Sequence, residues 1–294
     1  MRFHKVIVIL VLLLALIVDS SGQSDSVIYR VTTLDGNTYY GMIVEENDDK
    51  IILSTEAIGR ITILKVSISN INVVAESDKV GDEYWFENPQ ETRYFWQPNG
   101  YGLKKGEGYY QNVWVLFNHV SYGVTDHFTL GGGMVPLFFF GGTPTPVWVT
   151  PKVSIPIIKD KLNMGAGAML GYLIGDGGAA FGIPYAVITA GSRNSNLSFG
   201  AGWAFADGDF AESPTLSLSG MTRVSRKTYL MTESYYIDTG GSAVGFISLG
   251  GRTITKSVGI DYGLFFPISD DIGTFIAIPW LGVTVPFGNK PVYQ

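Results

Sequence analysis

The sequence predicts an all-β protein: about twelve antiparallel strands closed into a transmembrane β-barrel, preceded by a small five-stranded β module. Three observations carry the prediction. The stretch "NLSFGAGWAF" at 196–205 sets Leu197, Phe199, Ala201, Trp203 and Phe205 against Ser198, Gly200, Gly202 and Ala204, and period-two alternation marks a strand with unlike faces. A soluble sandwich would furnish the second face with Lys, Glu, Thr or Gln. Here it is nearly bare, and a repeated glycine face needs a reason, such as a crowded interior or a neighbouring backbone. Charged residues make up only 16% of the 294 residues, with 37 glycines and 13% aromatics, against roughly 25% charged in soluble domains. Similar strands recur at near-regular spacing between turns, as expected of a barrel with a bulky lipid side and a small lumen side.

The chain opens "MRFHKVIVILVLLLALIVDSSGQ", with Arg2 and Lys5 before an apolar run from Val6 to Val18 and small residues ending near Gly22. That order, with a run shorter than the ~20 residues of a spanning helix, reads as a secretory signal over 1–22. Removing Arg2, Lys5 and Asp19 takes the formal charge from -6 to about -7, which argues against nucleic acid as a partner. The chain has no cysteine. Disulfides, thiolate metal sites and a lipidated cysteine are therefore out of reach, and anchoring falls to the fold.

Residues 24–75 read as a compact set of short strands, "VIYRVTT", "NTYYGMIVEEN", "KIILST" and "GRITILK", broken at Asp35-Gly36, at Asn47-Asp48-Asp49 and at Ala57 to Gly59. Asp-Gly between alternating apolar runs is a hairpin signal. On this turn placement the segment resembles the small five-stranded barrels of the Sm-like and SH3-like type. Its Glu45, Glu46, Asp48 and Asp49 are unsuited to phosphate contacts and lack the ligand spacing of a calcium loop. They read as a solvated turn. The remaining functional expectation for 24–75 is docking of a periplasmic protein partner, with a plain spacer as the alternative.

Residues 76–91 are charged and irregular and read as a linker, and 92–294 as the barrel. Its clearest strands are Leu162 to Tyr172, Val258 to Phe266, the 196–205 stretch, and Leu216 and Leu218 alternating with Ser217 and Ser219 and leading to Arg223. Others are expected near 92–98, 108–122, 128–139, 147–157, 180–190, 228–237, 243–252 and 274–287. Each is close to the 9–11 residues of a tilted transmembrane strand. Short turns "VTDH", "IKDK", "NSN", "SRK" and "ITK" alternate with longer "FGGTPTP", "DGDFAES" and "PISDDIG", the asymmetry of periplasmic turns and outer loops. An even strand count also returns both barrel ends to the periplasm, where the first module is expected.

This region resembles the bacterial outer-membrane β-barrel class, and "NPQETRYFWQPNGYGLKKGEGYYQN" followed by "VSYGVTDHFTLGGG" is similar to a pattern found in its uncharacterised porin-like members. The resemblance implies outer-membrane lipid as surroundings, with the N-terminal module in the periplasm. Many such barrels end in an aromatic residue; this sequence ends Val292-Tyr293-Gln294, with Phe287 its last strand aromatic. Interfacial girdles would hold Tyr172, Trp203, Phe205 and Phe266 at the outer rim and Phe128 and Phe287 at the inner. Lys104 and Lys105 fall in an expected outer loop.

The search for chemistry yields one pair. "NHVSY" places His119 and Ser121 on one face of a strand, spacing that a nucleophile and its base could use. The arrangement is similar to the His-x-Ser of outer-membrane phospholipase A, which would make His119 base and Ser121 nucleophile. That family continues with Asn-Gly where this chain has Tyr122-Gly123, and an interfacial polar pair is the preferred reading. His127 beside Asp126 reads as a turn, since a catalytic zinc needs about three protein ligands. No catalytic, cofactor or metal site is expected. The inward register places Thr150, Lys152, Ser154, Ser217, Arg223, Glu233, Arg252 and Asp261 in the lumen, where charges could tune a pore or pair and fill it. The expected function is passive passage of small polar solutes. The alternative is a structural barrel whose N-terminal module holds a periplasmic partner, and lipid hydrolysis is a third reading.

Overall fold

The computed structural model describes residues 28–55, 58–74, 79–80, 83–84, 87–175, 177–238, 243–255, 258–269 and 274–288. The expected signal over 1–22 and the terminal Val292-Tyr293-Gln294 lie outside them. The chain divides into two compact units, Met1–Glu76 and Ser77–Gln294.

In the first unit β1 (Ile28–Thr33), β2 (Thr38–Glu46), β3 (Lys50–Thr55), β4 (Gly59–Leu64) and β5 (Ile68–Val74) form one sheet in the order β4-β3-β2-β1-β5. The β1–β2 turn is the Asp35-Gly36 hairpin: Gly36 takes φ 85°, a left-handed conformation glycine adopts without a Cβ penalty. Val31, Ile51, Leu53 and Ile63 make the core, with Tyr29, Tyr39, Ile43, Ile61 and Ile68 packed on it. A register shift between Ile43 and Glu45 marks a bulge in β2, which bends the strand and raises its local twist. The acidic turn is closed by Asn47, whose Oδ1 accepts the N–H groups of Asp49 and Lys50 at 3.0 and 2.9 Å, while Glu46 meets Lys65 at 2.7 Å.

The second unit begins with a two-residue pair, β6 (Lys79–Val80) and β7 (Glu83–Tyr84), and continues into a large sheet. Its strands are β8 (Glu107–Val113), β9 (Phe117–Gly123), β10 (Phe128–Met134), β11 (Thr145–Ile158), β12 (Leu162–Ile174), β13 (Ala180–Gly191), β14 (Ser195–Gly202), β15 (Phe205–Ala206), β16 (Asp209–Phe210), β17 (Thr215–Arg223), β18 (Thr228–Asp238), β19 (Ala243–Thr255), β20 (Val258–Ile268) and β21 (Ile278–Gly288). A one-turn helix, α1 (Leu137–Phe140), interrupts the β10–β11 connection. All pairings are antiparallel, and β21 returns to β8 from Gly282↔Val113 to Gly288↔Glu107. Of the 14 strands, β15 and β16 only extend β13, so the ring closes with twelve.

The total agrees with the sequence-based count, but several assignments differ: the strand expected near 128–139 ends at Met134, before α1, and the one expected over 196–205 ends at Gly202. Residues 92–98 form no strand; they hold only the isolated bridge Arg93↔Pro98. The expected strand 108–122 is instead two strands, β8 and β9, turned at 114–116. That turn contains neither Gly nor Asn although Trp114 and Val115 take φ 52° and 64°, which costs energy in a branched residue. Trp114 is held there by its N–H to Leu281 O at 3.0 Å and its indole N–H to Pro279 O at 2.8 Å. One consequence is that Lys104 and Lys105 sit at the same end of the ring as turn 124–127, not in an outer loop: Lys105 N–H donates to Asp126 Oδ1 at 2.9 Å.

The outward positions form an apolar belt that includes Val149, Leu170, Ile188, Phe199, Leu230, Leu249, Leu264 and Leu281, all exposed. Charged residues of the twelve ring strands other than Asp238, at the end of β18, lie on the inward parity. Leu249 is 66% exposed in the middle of β19, an arrangement stable against acyl chains and unfavourable in water. Tyr172 and Trp203 are exposed at one end of the belt, and Phe287 stacks with Tyr122 at the other. Closure leaves no unpaired strand edge in the ring. The protein is thus a closed twelve-stranded β-barrel with the apolar exterior of a membrane-spanning one.

Candidate functional site: a filled lumen

The bare inward faces have an occupant. Residues 87–106 run through the ring, and Asn88, Gln90, Glu91, Thr92, Arg93, Tyr94, Phe95, Gln97, Asn99, Tyr101 and Leu103 are all buried. The inward glycines are the clearance they need. A Cβ on Gly263 would come 3.1 Å from Phe95 Cζ, one on Gly259 would lie 2.9 Å from Pro89 Cγ, and one on Gly123 would lie 2.1 Å from Lys104 O. A second part of the fill is hydrocarbon: Phe95, Phe265 and Trp280 form a ring cluster with centroids 5.2–5.6 Å apart.

Polar contacts hold the segment on every side. Arg252 is fully buried and donates from Nε and Nη2 to Asp261 Oδ1 and Oδ2 at 2.6 and 2.9 Å. The same guanidinium reaches Asn88 Oδ1, Gln90 O, Gln90 Oε1 and Tyr94 O at 2.7–3.1 Å. A bidentate carboxylate fixes the guanidinium plane, leaving its other edge to bind the segment. On the adjacent strand β18, Glu233 Oε2 accepts the N–H groups of Trp96 and Gln97, both at 2.9 Å, and its Oε1 accepts the Tyr235 hydroxyl at 2.8 Å. Gln97 Nε2 donates to Ser217 at 2.6 Å, and its carbonyl accepts from Ser219. Tyr94 donates to Asn196 at 2.6 Å, Thr189 accepts the Gly100 N–H at 2.7 Å, and Thr284 donates to Gln90 at 2.9 Å.

In the turn after β13, Arg193 clasps Glu91 at 2.5 Å and lies over the Tyr101 ring at 4.7 Å. Burial works against its charge, yet the carboxylates of Glu91, Glu107 and Glu87, with Tyr101, hold its pKa above the ordinary arginine value.

The eight residues assigned to the lumen are distributed over this fill. Arg252 and Asp261 form the ion pair, and Ser217 and Glu233 grip the tip of the segment. Thr150, Lys152 and Ser154 stand in a row on β11, with Lys152 Nζ donating to Tyr101 O at 2.5 Å. Arg223 is at the ring's end, where it reaches Asn194 Oδ1 and Arg226 O and covers Tyr229. Sequence reasoning misses their partners: Asn88, Gln90, Tyr94 and Gln97 fall within the expected linker and first strand. Their signal was present in "NPQETRYFWQPNGYG", which mixes amides and aromatics with Pro89, Pro98 and Gly100 and has no two-residue period.

His119 and Ser121 do meet, Nε2 to Oγ at 2.9 Å, and both are buried. However, the Trp148 indole N–H donates to His119 Nδ1 at 3.1 Å, so in the neutral ring Nδ1 is the acceptor and the proton sits on Nε2. A base for Ser121 would need the opposite tautomer. Arg93, 3.5 Å from Nε2, fills the approach.

The sequence matches no protein-family model and no curated protein. Among solved structures the chain is similar to outer-membrane expressed OmpT of Vibrio cholerae, at 11% identity over 91% of this chain and 100% of that one, TM-score 0.35. It is also similar to OmpTdeltaL8, a loop L8 deletion mutant of that outer membrane protein of Vibrio cholerae, at 13% identity over 89% and 96%, TM-score 0.37.

Proposed function

We propose that the protein is a structural outer-membrane barrel, closed by its own residues 87–106, that holds the β1–β5 module in the periplasm as a docking element for a protein partner. The occupied lumen carries this reading, because the segment contacts strands around the whole ring and its anchors Arg252 and Glu233 are fully buried. Purified protein in planar bilayers is expected to remain silent, and periplasmic crosslinks are expected to vanish when residues 24–75 are deleted. Regular conductance steps from most insertions of the unaltered protein would refute it.

Passage of small polar solutes is the second reading, in gated form. It is favoured by the continuity of residues 87–106 with the chain leading back to the module, since displacing that segment would expose a polar, glycine-lined wall. His119 and Ser121 act in either reading as a hydrogen-bonded brace. Any phospholipase activity unchanged in Ser121→Ala would confirm that they are not its source.

A further inference from the structure

The fill stops short of one end of the lumen. Inward side chains near the end of turn 124–127 are buried, and those toward the opposite end, where connections 135–144 and 203–214 lie, are not. Along β13, Thr189 and Val187 are 0% and 3% exposed, whereas Tyr185, Ile183 and Phe181 are all partly exposed. β18 and β19 change in the same way, from the buried Glu233 and Ser248 to the partly exposed Tyr235 and Phe246. The glycines change with them. Above that level a Cβ on Gly171 would strike the Phe181 ring of the adjacent strand, and one on Gly202 would lie 2.9 Å from Ile183 Cγ1. These side chains lie along the wall, over neighbouring glycines, and leave the centre open. The result is an apolar cup, floored by the tip of the inner segment at the partly exposed Trp96.

The wall of the cup is uneven. On one side Glu233 binds the Trp96 N–H, and β18 runs on from there to Asp238. On the other, Trp96 meets Phe117 with ring centroids 5.9 Å apart, and Phe117 is the first residue of β9, next to the turn 114–116. Here the rim stands level with the floor. β8, β9 and β10 have seven residues each, against 14, 13 and 12 in β11, β12 and β13. Seven residues reach about 24 Å along a strand and, at a tilt of 35–45°, roughly 18 Å along the membrane normal, short of the ~25 Å apolar band. Lys104, Lys105 and Asp126 are exposed at the far end of these strands, so that end is in water and the shortfall falls at the cup. The rim is apolar accordingly: Val115 is 83% and Phe140 88% exposed, with Leu137 and Phe139 exposed beside them. Trp114, also exposed, lies 6.0 Å from Phe117 between ring centroids, so ring contacts lead from the rim to Trp96.

We infer that an acyl chain of a membrane lipid passes over the low rim at 114–116 and occupies the cup, its head group staying at the interface. A concave, mainly apolar surface is what a hydrocarbon ligand requires, and left to water it is unfavourable. Continuity with the lipid-facing belt selects the occupant. An acyl chain reaches the cup over the Val115 and Phe140 rim without crossing water, whereas a solute entering from the aqueous end has no use for an apolar gap in the wall. The floor at Trp96 stops the chain from going further. The inference is independent of whether the β1–β5 module docks a partner.

The test uses the full chain in phosphatidylcholine vesicles doped with phosphatidylcholine that carries a diazirine near the end of one acyl chain. After irradiation, peptide mass spectrometry is expected to find label on the inward Phe181 and Phe246 as well as on belt residues such as Leu249. That arm needs no variant, so a misfolded mutant cannot hide the answer. Val115→Asp/Phe140→Asp should cut labelling of Phe181 and Phe246 several-fold and leave that of Leu249 unchanged. Aspartate suits the φ of 64° at position 115 better than valine does, and position 140 is exposed, so the pair is compatible with the fold. Label confined to belt residues, or cup labelling unaffected by the double substitution, would overturn the proposal. So would labelling of Phe181 and Phe246 by a diazirine-bearing decanoic acid supplied in water but not by the vesicle lipid.

Discussion

Replacing Arg252 by methionine should release the inner segment from the wall. The substitution keeps most of the side-chain volume and removes six donor contacts, two to Asp261 and four to Asn88, Gln90 and Tyr94. Removing one partner of a buried pair costs about 3–5 kcal/mol, because the other charge is left behind; Asp261 is 0% exposed. The orphaned Gln90 and Tyr94 carbonyls add about 1–3 kcal/mol each if water does not reach them. The double variant Arg252→Met/Asp261→Leu separates the two contributions, since it removes the stranded carboxylate but restores no contact to the segment. It should therefore unfold between the parent and the single variant. Urea unfolding in lipid vesicles, followed by tryptophan fluorescence, measures the stabilities. Because the chain has no cysteine, Thr92→Cys provides one buried reporter in the segment, and maleimide should label it faster in the Arg252→Met background. A single variant within about 1 kcal/mol of the parent, with Thr92→Cys labelling unchanged, would show that this anchor does not hold the segment.

Glu233→Ala, which strips acceptors from two backbone N–H groups and a tyrosine, should destabilise by at least about 1–3 kcal/mol, and bilayer recordings should show brief openings absent from the parent. Leu249→Arg, on the outward face of β19, should cost about 2–4 kcal/mol in vesicles, whereas a water-facing position would tolerate it; Leu249→Ala is the packing control. In the N-terminal module the Thr33 hydroxyl, against an opposing desolvation effect and with lesser help from the Asn37 N–H and side chain, holds the Asp35 carboxyl below the usual carboxylate range. A carboxyl whose folded pKa is depressed stabilises above its unfolded value and loses that effect as pH falls through the folded one. Amide exchange in residues 30–40 should therefore accelerate in acid below about pH 4, and Asp35→Asn should flatten that dependence.

The ring was legible because lipid imposes a simple rule on its outside. From Leu162 to Tyr172 and from Val258 to Phe266 every second residue is apolar or aromatic, and the structure turns those residues outward. The inside obeys no such period. Residues 88–103 take their conformation from side chains on β13, β14, β18, β19 and β21, distant in sequence, so "TRYFWQP" can be mistaken for a strand until Glu233 and Arg252 are seen to bind its backbone. The Trp114-Val115 turn was illegible for a related reason. Its left-handed backbone is held by Leu281 and Pro279, more than 160 positions away, rather than by a local glycine. Two errors, one strand too many before residue 100 and one too few after it, left the total and the register of everything downstream intact.

A small inward face admits two readings, an open channel or a neighbouring backbone, and the spacing of the glycines decides between them. An aqueous channel has no use for glycine at particular positions, since serine or threonine would line it as well and strengthen the strand. Here Gly123, Gly259 and Gly263 each lie where a methyl group would strike the 87–106 segment, while Ser217, Ser219, Thr189 and Thr284 stand where that segment offers a hydrogen-bonding group. Polar and bare positions thus alternate to fit one particular occupant. At these positions the wall is complementary to the segment, and residues 87–106 belong to the packed interior of the ring.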